Sequence, residues 1–151
     1  MAQLSFHTPH GALTISERDG RLVSVDWGWG RDQTETPLLL EARAQFECYF
    51  DGTLRNFTLP IVLLGSPYQQ RIWSELAGIP YGETRTYAEI AAAAGGAARS
   101  VGQANRRNPL PILIPCHRVV GSSGIGGYTG GNGDETKRQL LLLEKTAVSV
   151  A

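Results

Sequence analysis

Sulfur and imidazole are scarce in this chain: two cysteines, one methionine and three histidines among 151 residues. No CxxC or HxxxH spacing is present, so a zinc site lacks ligands and no metal is expected. Cys48 and Cys116 lie far apart, which points to free thiols in a cytoplasmic protein rather than a disulfide framework. No apolar run reaches the ~18 residues that a membrane span needs. Residues 1–10 lack a basic start followed by an apolar stretch, so no signal peptide is expected. A P-loop is absent too, since the glycine-rich tract 121–133 has no GxxxxGKS.

An excess of positive charge is also missing, because the formal net charge is zero. That argues against a uniformly basic nucleic-acid binder. The distribution is uneven, however. Residues 1–62 carry five Arg against eight Asp or Glu, and residues 63–151 carry nine Lys or Arg against six. Five arginines and the single acid Glu89 lie between Arg85 and Arg118. Such a patch suits a polyanion, and an ordinary solvated face fits it as well.

Two regions follow from the periodicities. In residues 3–27, apolar and polar residues alternate around the turns Pro9-His10-Gly11 and Arg18-Asp19-Gly20, which predicts three short strands. Thr36-Pro37 opens a helix whose apolar residues Leu39, Ala42, Phe46, Tyr49 and Phe50 recur at three and four, up to Gly52. Cys48, inside it, reads as a small half-buried apolar residue. Residues 53–64 read as an extended exit. The first unit is therefore placed at 1–62 and the second at 63–151.

The second region is mainly helical. Ser66-Pro67-Tyr68-Gln69 and Thr86-Tyr87-Ala88-Glu89 are two capping boxes. Gly95-Gly96 breaks the helix that starts at Thr86, and a further helix runs from Ala97 to Arg107. Helix, glycine turn, helix is the outline of a helix-turn-helix. Ala97, Ala98, Ser100, Gly102 and Ala104 are small enough for close approach to a surface, with Arg99, Arg106 and Arg107 able to reach phosphates. Tight packing of this helix within its own domain explains the same residues. A last helix is predicted over 135–146.

Between these helices lies Asn108-Pro-Leu-Pro-Ile-Leu-Ile-Pro-Cys-His-Arg-Val-Val-Gly121. Pro109, Pro111 and Pro115 stiffen the backbone and exclude both helix and central strand. Cys116 is thus a thiol on rigid chain. A free thiol is mostly protonated at neutral pH and needs a base or positive charge beside it. His117 and Arg118 adjoin it in sequence, which does not make their side chains face it.

Taken together, Arg99-Ser-Val-Gly-Gln-Ala104 and Asn108 to Val120 closely resemble the signature of the O6-alkylguanine-DNA alkyltransferases. Ile79 to Tyr87, Gly126-Gly-Tyr-Thr-Gly-Gly131 and Lys137 to Glu144 resemble that family as well. The resemblance implies an α+β chain: a small N-terminal α/β unit of ribonuclease H-like form, then a winged helix-turn-helix domain. It implies double-stranded DNA containing O6-alkylguanine as partner, a monomer, and no membrane. No cofactor is implied, since the substrate supplies the group that the cysteine keeps. The residues map as follows. Cys116 attacks the alkyl carbon, His117 takes the thiol proton through a water, Glu144 orients His117, and Tyr87 donates to the leaving purine. Arg99 fills the stack vacated by a flipped nucleotide, on a DNA-facing helix that also carries Ala98, Ser100, Gly102 and Arg106. Val119, Tyr128 and Thr129 hold the base. Asn108 braces the cysteine-bearing turn. A lesion binder that lacks the cysteine, a helix-turn-helix regulator and a cysteine hydrolase are the competing readings, and Cys116 itself argues against the first.

Overall fold

Residues 2–27 form an antiparallel three-stranded meander, β1 (Ala2–Thr8), β2 (Gly11–Arg18) and β3 (Arg21–Trp27), in the order β1-β2-β3. The computed structural model describes residues 1–128 and 130–149. The chain divides between Leu63 and Leu64, one residue beyond the expected boundary. Alternation puts Leu4 opposite Ile15 and Phe6 opposite Leu13 on one buried face. Leu22 and Val25 are three residues apart, so strict alternation would send them to opposite faces. A bulge skips Val23, pairing Ser16 with Ser24 and Glu17 with Leu22, and both side chains are buried.

Helix α1 (Pro37–Phe50) covers this face with Leu39, Ala42, Phe46, Tyr49 and Phe50. Thr36 caps it, accepting from the Leu39 amide at 3.1 Å. Phe46 stacks obliquely on Phe6 and Phe57, with centroids 5.8 and 5.0 Å apart. Cys48 is exposed, contrary to the half-buried expectation, because the helix turns its other side to the sheet. The opposite sheet face is buried but polar. The Ser5 hydroxyl meets that of Thr14 at 2.8 Å, and Thr14 and Ser5 in turn bond Gly28 O and Gly30 N. The loop after β3 is thereby stitched over the sheet. The exit segment is not a free tether, since Ile61 pairs in parallel with Leu22.

The second unit opens with α2 (Pro67–Ala77), whose capping box joins Ser66 and Gln69. Its Ile72, Trp73 and Leu76 are buried, and Trp73 Nε1 donates to Ala104 O at 2.9 Å. A second capping box, Thr86 with Glu89, starts α3 (Tyr87–Ala94). Helix α4 (Ala98–Arg106) follows, one residue shorter at each end than predicted. The connection is tight. Gly95 and Gly96 have φ of +98° and +84°, and the Tyr68 hydroxyl donates to Gly95 O at 3.0 Å. A Cβ on Gly96 would lie 2.3 Å from that hydroxyl oxygen, whereas one on Gly95 would meet nothing within 4 Å. A two-residue parallel pair, β4 (Arg85–Thr86) with β5 (Val119–Val120), ties the start of α3 to the segment after Cys116. Helix α5 (Asp134–Ser149) completes the unit, longer than the predicted 135–146. Among the described residues no helix is long and apolar enough to cross a membrane.

The two glycines of the α3–α4 turn separate backbone strain from steric conflict. Gly95→Ala is expected to cost about 1–2 kcal/mol for its left-handed backbone alone. Gly96→Ala should cost at least about 1 kcal/mol more, because Tyr68 must also move. Urea unfolding of the two variants measures the difference.

Candidate active site

The cysteine-bearing turn is held from α4. Asn108, just past the helix, donates from Nδ2 to Ile114 O at 2.7 Å and accepts the Leu110 amide on Oδ1 at 3.0 Å. Asn105, in the last turn of α4, donates from Nδ2 to Cys116 O at 3.2 Å. Leu110, Ile112 and Ile114 are buried. Ile112 has φ of +74°, a left-handed conformation that a β-branched residue adopts only under strain. Burial on one side and the asparagines on the other hold the turn there. One 3₁₀ turn, Cys116–Arg118, then presents the three side chains in succession.

His117 and Glu144, 27 residues apart, meet with Nε2 2.6 Å from Oε2, and both are buried. Arg118 completes the group. Its Nε and Nη2 donate to the two Glu144 oxygens at 2.8 and 3.0 Å, and its Nη1 donates to Ile79 O at 2.8 Å. Its guanidinium lies 5.5 Å from the centroid of the Tyr81 ring. The sequence reading counted Arg118 with the basic patch. It is buried instead, because a carboxylate lies within reach to satisfy it.

These contacts set the protonation states. Burial pushes the Glu144 carboxyl up, but the hydrogen bonds and charges of His117 and Arg118 outweigh it and hold it down at about 2. Burial pushes His117 down, against the pull of Glu144, so the imidazole is neutral at pH 7. The charge of Arg118 is permanent, so part of the hold on Glu144 persists when the imidazole is neutral. An ionised carboxylate only accepts, so Nε2 carries the ring proton and Nδ1 keeps its lone pair. Nδ1 is buried with no partner among the described residues. Burial also raises the Cys116 thiol, partly countered by a hydrogen bond from Asn108 and the charge of Lys137. Cys116 therefore rests as a thiol, and the residue after it is a neutral base oriented by Glu144.

Lys137 escaped the sequence reading as a site residue. It is fully buried, with Nζ donating to Val119 O at 2.6 Å and Gly127 O at 3.1 Å, and it sits 5.8 Å from the centroid of the Tyr87 ring. Burial lowers its pKa to about 8. Tyr87, the first residue of α3, is half-buried. Its phenol is raised by burial and then by the Cys116 charge, so it remains a proton donor. A Cβ on Gly126 would approach its Oη to 2.9 Å, so the glycine-rich loop passes close over the phenol.

The remaining predicted residues are spread along α4 and that loop. Ala98, Arg99 and Arg106 are exposed. Gly102 is half-exposed with the Tyr87 ring behind it, 3.8 Å from where its Cβ would be. Ser100 turns inward: its hydroxyl bonds Tyr68 Oη at 2.9 Å and accepts the Ala97 amide at 3.0 Å, so it serves the start of α4. Val119 is buried and Tyr128 half-buried. Thr129 lies outside the described residues. Among the described residues no three His, Cys, Asp or Glu side chains gather as a metal site.

Glu144 dictates an acid limb of stability. Its folded pKa of about 2 lies below the ordinary 4.5, so its contribution is complete above pH 4.5 and lost as the pH falls toward 2. The shift is worth on the order of 3 kcal/mol. Lys137 gives a slope of the same sign at the alkaline end: its folded pKa of about 8 lies below 10.5, so its burial penalty is relieved and stability rises as the pH rises between those values. Urea unfolding from pH 7 to 2 should show a steeper loss for the wild-type protein than for Glu144→Gln.

Comparison with known proteins agrees with this geometry. Residues 67–146 match the family described as 6-O-methylguanine DNA methyltransferase, DNA binding domain, and residues 3–63 match its ribonuclease-like domain. The chain is 45% identical over 152 residues to the constitutive methylated-DNA–protein-cysteine methyltransferase of Bacillus subtilis, covering 91% of this chain and 92% of that protein. It is 50% identical over 153 residues to the methylated-DNA–protein-cysteine methyltransferase of Mycobacterium leprae, covering 93% and 88%. The crystal structure of Mycobacterium tuberculosis OGT in complex with DNA superposes with a TM-score of 0.87 at 40% identity, over 97% of this chain and 94% of that one. A chain matched along both of its units at this level of identity belongs to the 6-O-methylguanine DNA methyltransferase family.

Proposed function

We propose that the protein repairs DNA by moving an alkyl group from O6 of guanine onto Cys116, once per molecule, as a monomer. The observation that carries this reading is the buried His117, which follows Cys116 in the chain and is fixed by Glu144, itself held by Arg118, with Nδ1 unpaired among the described residues. In the reaction the Sγ–C bond forms as the C–O6 bond breaks. The thiol proton passes through a water to His117 Nδ1 and the departing guanine receives one from Tyr87 Oη, which avoids a poor anionic leaving group. The imidazolium and phenolate left behind neutralise each other through solvent. A thioether has no easy hydrolytic exit, so Cys116 is consumed.

On this reading α4 is the DNA-facing element. Arg99 takes the place of the extruded nucleotide, Arg106 meets phosphate, and Ala98 and Gly102 permit close approach. Val119 and Tyr128 line the base pocket. The second unit carries DNA binding and transfer, and the first supports it.

Intact-mass measurement after mixing with an O6-methylguanine duplex tests the reaction. One methyl per molecule on Cys116, absent from Cys116→Ala, is expected. Repeated turnover, or lesion binding without mass gain, overturns it. The methylated product is also expected to melt lower than the free protein. Cys116 is 6% exposed on a strained, packed turn, and an added methyl there costs about 1–3 kcal/mol.

A further inference from the structure

Two asparagines, three residues apart at the end of α4, grip the nucleophile turn. The sequence singles out Asn108, which is satisfied through both ends of its amide. Asn105 is different. It is 6% exposed, and its Nδ2 donates to Cys116 O while its Oδ1 is buried with no partner among the described residues. A half-satisfied buried amide costs stability that leucine, of similar size, would not. Its presence there therefore calls for a reason other than stability.

The reason lies in what it holds. Cys116 O also accepts the Val119 amide that closes the 3₁₀ turn, so both lone pairs of this carbonyl are engaged. That oxygen belongs to the peptide plane linking Cys116 to His117, the nucleophile to its base. Rocking of the plane moves Sγ and the imidazole against each other. Strain at Ile112, four residues earlier, gives the turn a reason to relax away from this arrangement.

We propose that Asn105 is a positioning residue for alkyl transfer, locking the Cys116–His117 peptide plane through Cys116 O. The proposal deepens the function given above and rests on it for the substrate. At saturating O6-methylguanine duplex, the single-turnover rate of Asn105→Leu should fall about tenfold or more, because small misalignments of reacting groups are costly. Its unfolding midpoint should equal or exceed that of the wild-type protein, which a merely structural asparagine would not allow. Asn105→Asp places an acceptor against the carbonyl and should be slower still at pH 8. A carboxyl buried there titrates high and donates once protonated. Its rate relative to the wild type should therefore recover as the pH falls. A readout without DNA separates this proposal from the function itself: carbamidomethylation of Cys116 by iodoacetamide, followed by peptide mass apart from exposed Cys48, should be faster in Asn105→Leu as the turn loosens. Wild-type rates of both reactions in Asn105→Leu would overturn the proposal, as would a loss of rate that tracks loss of folded protein. A wild-type chain that gains no methyl while the iodoacetamide difference persists would overturn the function and leave Asn105's role standing.

Discussion

The second unit is organised around one carboxylate. Glu144 receives two bonds from Arg118 and one from His117, all inside the fold. Arg118 then reaches Ile79 O in the connection after α2. Three separate parts of the chain, α5, the 3₁₀ turn and the α2–α3 connection, are thus joined through a single ionised group. A buried pair of this kind gives little net stability, yet removing one partner is costly because the other is left charged and dry. Its value here is chemical: it determines which nitrogen of His117 carries the proton.

A second constraint acts on the cysteine. Three prolines and a left-handed Ile112 make a turn that would not rest in this shape alone. Buried leucine and isoleucines hold it from within, while Asn105 of α4 and Asn108 just past it hold it through their amides. The helix assigned to DNA is therefore directly bonded to the nucleophile turn. At its other end the same helix is pinned by Tyr68 at the glycine turn. A shift of α4 is thus passed to Cys116 through hydrogen bonds rather than through a flexible linker.

Lys137 extends the network to the loop that passes over Tyr87. Bonded to Val119 O and Gly127 O, it joins the residue after the 3₁₀ turn to the glycine-rich tract. Burying an ammonium there weakens its hold on its own proton. In exchange the loop gains a fixed attachment in a stretch where glycine supplies no side chains to pack.

Local features were legible in the chain alone: the three strands, the capping boxes at Ser66 and Thr86, the glycine break at 95–96 and the rigid display of Cys116. Each depends on a few neighbouring residues, so short-range spacing is enough. The signature motif added His117, Tyr87 and Asn108. Burial of polar groups was not legible. In α5 the leucine-rich stretch alone does not mark the buried side, which is Thr136, Lys137, Leu140 and Glu144. Arg118 read as surface charge and Cys48 as half-buried. A charged side chain is buried only when its partner arrives from far along the chain, as Glu144 does from 26 residues beyond Arg118. Asn105 gave no signal for the same reason, since its meaning lies in a carbonyl 11 residues away. Sequence sets the local conformations and the rigid display of Cys116; long-range packing decides which charges are dry, and through them the protonation states of the groups around that thiol.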